Sequence, residues 1–261
     1  MVKMVRGKML NLIGIGLNDR QLTLEALDAI KKSSAVFVEA YTSRYASGTI
    51  QSLEKKLKKK IKFLDRAGVE ENLTEVILLA KKKNVSLLVV GNSLFATTHD
   101  GVLNACREKK VKCNVIPGIG IVDYLGLSGL SPYKFGRVVT IVSPKPNFSP
   151  ESFFDQLVEN QKLGLHTLCL LDLDVMKNKF MTIAQAIEVL QSIAKKRSVT
   201  IDAWAGIALV GLGNSKSQIV AGSLLTLAKK NFKLVPQSLI IVGNMNSIEQ
   251  SNVEAWHGQK K

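Results

Sequence analysis

Residues 85–99 read VSLLVVGNSLFATTH, an apolar run followed by a loop of small residues. The run 85–90 predicts a strand that is buried on both faces, because apolar and polar residues do not alternate in it. Gly91 permits a sharp turn after this strand, and Thr97 or Thr98 can cap a helix that follows. Ligands of α/β proteins bind at such loops. The stretch therefore predicts an α/β fold with a candidate binding loop behind this strand.

The same alternation of short apolar runs and helical patterns extends along the chain. Predicted strands lie near 10–15, 35–39, 61–64, 85–90, 112–116, 138–142, 167–172, 206–210 and 238–242. This order predicts mainly parallel sheets covered by helices. The pattern breaks at 117–136, which is rich in glycine and contains two prolines. We therefore predict two α/β domains, an N-terminal domain of residues 1–116 and a C-terminal domain of residues 117–261.

Individual helices can also be predicted from their apolar faces and caps. Leu24, Leu27 and Ile30 are spaced as one buried helix face, with Thr23 in the N-cap position. Thr182 is predicted to cap a later helix.

Composition indicates a globular protein of a reducing compartment. The 261 residues are 46% hydrophobic and 22% charged, which is enough to bury one large core or two modest ones. Cys106, Cys113 and Cys169 show no C-x-x-C spacing, so neither a disulfide framework nor a zinc site is predicted. No apolar stretch approaches the roughly 18 residues of a membrane span. We expect a soluble, cytoplasmic protein with no membrane partner.

The formal net charge of +15 suggests an acidic or polyanionic partner. The lysines form clusters, most of which follow a predicted helix, where the helix dipole favours cations. A solvated surface is one interpretation, and attraction to an acidic protein or a polyanion is the other. The clusters contain no interleaved aromatic residues that could stack on bases, so we predict no direct sequence-specific contact with nucleic acid.

Two glycine pairs follow predicted strands, at Gly14-Ile15-Gly16 and Gly118-Ile119-Gly120. A dinucleotide-binding loop needs a third glycine where this chain has Asp19 and Asp123, so the pairs predict only tight turns or another type of ligand loop. No P-loop motif is present.

The three histidines do not indicate a metal site or a hydrolase. His99, His166 and His257 have no second ligand at metal spacing, and no G-x-S-x-G motif occurs. For His99 a place in the first turn of a helix and a functional role both remain open. His166 is either a loop residue before a strand or a functional residue. The absence of these motifs is compatible with a cofactor that itself supplies the electrophile, such as S-adenosylmethionine.

Four sequence blocks carry a resemblance to a known family. They are YTS at 41–43, ATTH at 96–99, YKFG at 133–136 and GLHTL at 164–168. With the blocks from LIGIGL at 12–17 to LIIVG at 239–243, they make the chain similar to the diphthine synthases, methyltransferases of the tetrapyrrole-methylase fold that use S-adenosylmethionine.

The resemblance implies a homodimer of two-domain subunits, with S-adenosylmethionine in the cleft between the domains and S-adenosylhomocysteine as product. It implies methylation of the amino group of the carboxy-aminopropyl histidine on translation elongation factor 2. It assigns no catalytic residue or proton acceptor, and it leaves open the number of methyl groups and the dimer interface. The implied cofactor contacts are Leu17, Asn92, Phe95, Gly120, Ile121, Leu171, Leu212 and Gln237.

The chain departs from the family at the implied cofactor site. Gly91-Asn92-Ser93 stands where the family usually has Gly-Asp-Pro, and Gln237 stands where histidine is common. The serine common before Ile121 is also absent. Asn92 keeps an acceptor oxygen but carries no charge. Asn92 and Ser93 favour one alternative, a non-enzymatic, basic ribosome-associated protein. Another methyltransferase of this fold, acting on a tetrapyrrole or on ribosomal RNA, is the second alternative, and the YTS, ATTH and YKFG blocks argue against it.

Overall fold

The structure, a computed structural model, describes residues 8–39, 43–64, 73–97 and 99–257. The chain divides into two compact units, Met1–Val122 and Asp123–Lys261. We call them the N-terminal unit and the C-terminal unit. Each contains a five-stranded sheet.

The N-terminal unit alternates strands and helices throughout. Its strands are β1 (Met9–Gly14), β2 (Ala35–Glu39), β3 (Ile61–Leu64), β4 (Asn84–Val89) and β5 (Cys113–Ile116). Its helices are α1 (Leu24–Lys32), α2 (Ile50–Leu57), α3 (Leu73–Ala80) and α4 (Asp100–Glu108). The strand order is β3-β2-β4-β1-β5, and every pair is parallel. The carboxyl ends of all five strands therefore lie at one edge, as the strand–helix alternation predicts.

Apolar clusters cover both faces of this sheet. One cluster contains Ile13 and Leu88 together with residues of α1 and α2, and the other contains Leu12 and Leu87 together with residues of α3 and α4. Because both faces are covered, β1 and β4 are buried along almost their whole length. This burial explains why their sequences are continuous apolar runs.

Two details of the predicted helices are wrong. Leu24 is 84% exposed, whereas Ile30 is buried and Leu27 packs against the same cluster, as predicted. Ala26 and Ala29 complete the buried face of α1. Leu24 is exposed because α1 begins at this residue, so its side chain lies at the exposed helix end, next to the confirmed cap Thr23. Helix α4 begins after His99, not after Thr97, and His99 makes no side-chain capping bond. The other predicted cap, Thr98, lies outside the described residues.

The C-terminal unit contains seven strands and four α-helices among its described residues. Its strands are β6 (Val139–Ile141), β7 (Thr167–Leu171), β8 (Leu173–Asp174), β9 (Lys179–Phe180), β10 (Ala205–Val210), β11 (Gln218–Ser223) and β12 (Gln237–Ile241). Its helices are α5 (Ser152–Lys162), α6 (Ile183–Lys196), α7 (Leu224–Ala228) and α8 (Ser247–Glu254). A 3₁₀ segment, Ile121–Ser128, begins in the last two residues of the N-terminal unit and continues into this one, and a second covers Pro132–Lys134. Helix α6 is capped by Thr182, as predicted.

The prediction of mainly parallel sheets is wrong for this unit. The order of its large sheet is β11-β10-β12-β7-β6, and only β6 and β7 pair in parallel. Strand β11 was not predicted, and residues 211–217 connect it to β10. A connection this short permits an antiparallel hairpin, whereas a parallel pair needs a longer crossover. No helix in the described ranges is both long and apolar enough to cross a membrane.

Candidate functional site

Three strand-end loops of the N-terminal unit meet in backbone contact at the carboxyl edge of the sheet. They follow β1, β4 and β5, and the contact involves Gly14, the last residue of β1, together with Gly91 and Gly118. A Cβ placed on Gly118 would lie 2.4 Å from the carbonyl carbon of Gly14 and 2.4 Å from the carbonyl oxygen of Gly91. No side chain fits in this space, so glycine is required for the three backbones to approach one another.

Three of the predicted cofactor residues lie together around this contact. A Cβ built on Gly91 would be 3.7 Å from Cδ2 of Leu17 and 4.0 Å from Cα of Gly120. A Cβ built on Gly120 would be 3.2 Å from Cβ of Asn92. The structure thus brings Leu17, Asn92 and Gly120 to one place, and Ile121 follows Gly120 directly at the start of a 3₁₀ segment.

The loop conformations at this edge are fixed by hydrogen bonds. Gly16 and Gly91 exchange two backbone bonds, with N···O distances of 3.3 and 2.8 Å. The amide of Leu17 donates to Oε1 of Gln21 at 2.8 Å, and its carbonyl accepts from the amide of Ala46 at 2.9 Å. The backbone of Leu17 is therefore held in position, which leaves its side chain to face Gly91.

Asn92 supports its own loop and keeps hydrogen-bonding capacity. Its Oδ1 accepts from the amide of Leu94 at 3.0 Å, and its side chain is half-buried. An amide oxygen has a second lone pair, and the amide nitrogen can donate twice. Phe95 follows in the same loop, half-buried, and Ala96 has a φ of 53°. The loop can thus offer a polar group and an aromatic ring to a ligand.

A buried polar cluster contacts the end of this loop. His99 is 1% exposed, and its Nδ1 shares a short hydrogen bond with Oγ1 of Thr97. Its Nε2 is 3.7 Å from Oε2 of Glu39, at the end of β2. Burial lowers the pKa of His99, against the opposing effects of the Glu39 carboxylate and the Ser93 backbone. The imidazole is therefore neutral near pH 7.

Two buried atoms of this region have no hydrogen-bond partner among the described residues. They are Oγ of Ser93 and Nε2 of His99. A buried polar atom without a partner costs about 1–3 kcal/mol, so such atoms are usually satisfied by water or a ligand. Ser93 belongs to the loop that follows β4, so its unpaired hydroxyl fits a loop that holds a polar ligand, whereas Nε2 of His99 faces the Glu39 carboxylate.

The predicted residues of the C-terminal unit also share one sheet edge. Leu171 ends β7, Leu212 follows β10, and Gln237 begins β12. Gln237 pairs with Val210 across the β10–β12 ladder, and the next residue along β12 pairs with Leu170 in β7. Because β12 is antiparallel to both neighbours, its first residue lies beside their last residues.

The side chain of Gln237 makes its hydrogen bonds within the protein. Its Oε1 accepts from the amide of Ile183, the first residue of α6, at 2.9 Å. Its Nε2 donates to the carbonyls of Phe232 and Leu234 at 3.2 and 3.0 Å. Both amide hydrogens are therefore used, and the residue is only 4% exposed. It also borders a cavity of about 210 Å³ whose lining includes Lys229 and Lys230.

The YKFG and GLHTL blocks form one structural unit in the C-terminal unit. The amide of His166 donates to the carbonyl of Lys134, and the amide of Gly136 donates to the carbonyl of His166, both at 2.9 Å. The rings of Phe135 and His166 pack edge to face with centroids 5.4 Å apart. The two blocks thus extend the β6–β7 pairing towards the amino ends of these strands.

Glu249 is the centre of the hydrogen bonds around these blocks. Its carboxylate accepts from Nζ of Lys134 at 2.5 Å, from the amides of Ser131 and Asn246 at 2.9 Å, and from Nε2 of His166 at 3.1 Å. Burial raises the pKa of Glu249, but these bonds outweigh burial and lower it to about 2.

The opposite ring nitrogen of His166 fixes its tautomer. Nδ1 accepts from the amide of Gly243 at 3.0 Å, so the proton is on Nε2, which faces Glu249. Burial lowers the pKa of His166, although Glu249 opposes this effect. His166 is thus a neutral structural residue, which answers the question that its sequence left open.

Sequence reasoning missed Glu39 and Glu249. Each is a single acidic residue with no motif around it, and its partners are distant in the sequence. For Glu249 one local indication existed, because Asn246 and Glu249 have the spacing of a capping box, which the structure contains. Within the described ranges, no group of three or more His, Cys, Asp or Glu residues is arranged to hold a metal ion.

Comparison with known proteins places this architecture in a family. Residues 9–210 match the family model of the Tetrapyrrole (Corrin/Porphyrin) Methylases. A diphthine synthase of Methanococcus maripaludis is 34% identical over 93% of this chain and 96% of its own length. A diphthine methyl ester synthase of Dictyostelium discoideum is 34% identical over 96% of this chain and 99% of its own.

A solved structure agrees with these sequence relatives. A crystal structure assigned to diphthine synthase of Entamoeba histolytica superposes with a TM-score of 0.88 at 29% identity, covering 97% of this chain and 100% of that one. The match to the family model and the near-complete alignment with these relatives show that the chain is a methyltransferase that belongs to the tetrapyrrole methylases and, within them, to the diphthine synthases.

Proposed function

We propose that this chain forms diphthine by methylating the amino group of the carboxy-aminopropyl histidine on translation elongation factor 2, with S-adenosylmethionine as methyl donor and S-adenosylhomocysteine as product. The observation that carries the proposal is the convergence of Leu17, Asn92 and Gly120 on the glycine contact at the carboxyl edge of the N-terminal sheet. Relatives named for diphthine synthesis align with 93% and 96% of the chain.

We assign cofactor contacts to eight residues. Bound there, S-adenosylmethionine supplies a methyl group on a sulfonium, so the protein need only bind it, orient the amine and exclude water. Gly120 and Leu17 offer close backbone approach and an apolar surface, and Asn92 offers an amide. The proposed contacts are Leu17, Asn92, Phe95, Gly120, Ile121, Leu171, Leu212 and Gln237. The side chain of Gln237 has no hydrogen to spare, so we assign to it contact through its backbone or its acceptor oxygen.

We infer that His99 is a positioning residue for the cofactor loop. It is buried and hydrogen-bonds to Thr97 of the loop that contains Asn92 and Phe95. Glu39 approaches it from β2, which connects the loop to the sheet. A neutral, fixed imidazole holds the loop in one conformation, and protonation would add a buried charge there.

The domains 1–116 and 117–261, a homodimer and a cytoplasmic location complete the proposal. The homodimer follows from the resemblance, the domain boundary from the glycine-rich break at 117–136, and the cytoplasmic location from a cysteine spacing that predicts no disulfide framework.

The test is mass spectrometry of translation elongation factor 2 that carries the carboxy-aminopropyl histidine, after incubation with the protein and S-adenosylmethionine. We expect successive methyl additions at that histidine. A final additional methyl that mild alkali removes would identify a methyl ester, as the name of the Dictyostelium relative suggests for that protein.

A variant of the proposed site and a measurement of cofactor binding distinguish the alternatives. The Gly120→Leu variant should lose methyl transfer, because a side chain there would meet Asn92. Cofactor binding without methylation of elongation factor 2 would favour another methyltransferase of this fold. Absence of cofactor binding would favour the non-enzymatic ribosome-associated protein.

A further inference from the structure

The amino edge of the N-terminal sheet is covered with lysines. In a parallel sheet every helix returns to this edge before the next strand begins. The four returns in this unit have the sequences KKSS at 31–34, KKK at 58–60, KKK at 81–83 and KKVK at 109–112. They contain eleven lysines and no acidic residue. We call these four segments the basic edge.

The lysines of the basic edge face solvent. Ten of the eleven are exposed, and Lys59 is half-buried, with Nζ donating to the carbonyl of Ser33 at 2.8 Å. Lys32 approaches the carboxylate of Asp28 at 3.9 Å. Lys8, directly before β1, is also exposed and extends the surface to the one strand without a helical return.

The helix dipole does not account for this number. One or two cations in the last turn suffice to complement a helix C-terminus, and each contributes about 0.3–1 kcal/mol. Nine of the eleven lysines lie beyond the last residue of their helix. Like charges this close repel one another, so the arrangement is unfavourable until a polyanion neutralises it.

The basic edge is separate from the candidate cofactor region. The loops with Leu17, Asn92 and Gly120 lie at the carboxyl edge, and the six residues of β1 separate the two edges by about 20 Å. A partner at the basic edge therefore leaves those loops uncovered. The lysines are consequently not explained by binding of the cofactor.

We propose that the basic edge binds the phosphodiester backbone of RNA without reading its sequence. Lysine is a flexible point charge that pairs with phosphate at many geometries, and the four segments contain no arginine or aromatic residue for base contacts. Across five strands the edge is about 19 Å wide, which accommodates several consecutive phosphates. The choice of RNA over other polyanions rests on the proposed function, because a protein that modifies a translation factor works among RNA molecules.

The test uses fluorescence anisotropy with a labelled oligouridylate of about 20 nucleotides, titrated from about 50 to about 200 mM salt. It needs neither cofactor nor elongation factor 2, so its failure is distinguishable from failure of the proposed function. We expect the logarithm of the association constant to fall linearly with the logarithm of the salt concentration. The slope should be at least about 3 in magnitude, since each neutralised phosphate of a single strand contributes roughly 0.7.

Two variants that each remove six positive charges locate the RNA-binding site. The edge variant replaces six exposed lysines of the basic edge by glutamine: Lys60, Lys81, Lys82, Lys83, Lys109 and Lys112. The control variant replaces six exposed lysines of the C-terminal unit by glutamine: Lys145, Lys162, Lys179, Lys195, Lys216 and Lys233. We expect the edge variant to bind at least about tenfold more weakly with a smaller slope, and the control variant to change less than about threefold. Circular dichroism shows whether both remain folded.

Three results would overturn the proposal. Equal weakening in both variants would mean that total charge, not the basic edge, attracts RNA. Tighter binding of polyglutamate than of oligouridylate would assign the edge to an acidic protein. Tighter edge-dependent binding to vesicles of anionic phospholipid would assign it to a lipid surface.

Discussion

The amide nitrogen of Gly118 lies 2.4 Å from the position that a Cβ on Gly14 would occupy. Gly14 is the last residue of β1, and Gly118 follows the neighbouring strand β5, so both lie at the carboxyl edge of the N-terminal sheet. A separation this short leaves no way for a side chain to rotate out of the contact, because the opposing atoms belong to the backbone.

The Gly118→Ala substitution should therefore destabilise the N-terminal unit by about 3 kcal/mol or more. Gly101 in α4 is the matched control, since a Cβ there has no atom within 4 Å apart from its chain neighbours and the backbone of its own helix. Gly101→Ala should stabilise by about 0.5–1 kcal/mol through helix propensity. Urea unfolding followed by circular dichroism measures both. Equal stability of Gly118→Ala and the wild type would show that the three loops can separate without loss.

The N-terminal sheet could be predicted because the signals for its strands and helices lie within short stretches of the sequence. β1 and β4 are buried on both faces and are continuous apolar runs, and α1 and α2 begin at their own capping residues, Thr23 and Thr49. In the C-terminal unit the strand direction depends on connection length and on distant pairing, as between β10 and β12. Those relationships have no local pattern, and β11 was missed for the same reason.

Gln237 should contribute to stability and to binding in different ways. Gln237→His restores the common family residue but replaces three hydrogen bonds by two at most, so stability should fall by about 1 kcal/mol. Gln237→Leu should cost more, because the amide of Ile183 loses its acceptor. Both tryptophans, Trp204 and Trp256, lie in the C-terminal unit, so their fluorescence reports its unfolding.

Calorimetric titration with S-adenosylhomocysteine completes the test of Gln237. We expect Gln237→His to bind the cofactor product more tightly despite its lower stability. Unchanged affinity in Gln237→His and in Gln237→Leu would show that this residue is purely structural.

His99 should make cofactor binding dependent on pH. Burial lowers its pKa below 6.5, so the unfolded state binds more protons than the native state, and stability is lost as pH falls below 6.5. Affinity for S-adenosylmethionine should weaken over the same range. In the His99→Gln variant the affinity for S-adenosylmethionine should be roughly tenfold weaker, which corresponds to one lost hydrogen bond. Below pH 6.5 this affinity should no longer depend on pH.

The control for this experiment is His257→Gln, which changes an exposed histidine. It should retain the wild-type pH profile. A His99→Gln variant whose affinity still falls with pH as in the wild type would contradict the positioning role, even if the variant were less stable.

Glu249 should determine acid stability of the C-terminal unit. Its pKa is lowered from 4.5 to about 2, so the native state binds fewer protons than the unfolded state between these values. The stabilisation is present above pH 4.5 and is lost as pH falls towards 2. A pKa shift of this size corresponds to about 3 kcal/mol in the free energy of unfolding. Glu249→Gln should lose a similar amount at neutral pH, because the Lys134 ammonium then lacks its anion.

Tryptophan fluorescence during urea unfolding at several pH values measures this effect. The difference between wild type and Glu249→Gln should shrink as pH falls from 4.5 towards 2. Glu151→Gln is the control, because Glu151 pairs with Lys196 and Arg197 at the surface, and its loss should be much smaller. A constant difference across this pH range would exclude the carboxylate of Glu249 as the source.

The loop after β4, which we propose to bind the cofactor, could be located from sequence, but the residues that support it could not. Gly91 and Asn92 follow a recognisable strand, whereas Glu39 reaches His99 only because β2 lies beside β4 in the folded sheet. Side chains that act through another residue have no spacing in the sequence to indicate them. Positions near strand ends were therefore predictable, and the residues that hold them in place were not.

The final prediction concerns Asn92, where the family usually has aspartate. Asn92→Asp keeps the oxygen that accepts from the amide of Leu94, and it adds a negative charge beside the proposed cofactor. If that charge acts on the sulfonium, affinity should rise for S-adenosylmethionine by about 1 kcal/mol and little for the neutral S-adenosylhomocysteine. If it acts on groups that both molecules share, both affinities should rise together. Asn92→Leu, which removes the amide, should weaken both. Calorimetric titration of the three proteins with both ligands decides between these cases, and unchanged affinities throughout would show that Asn92 does not contact the cofactor.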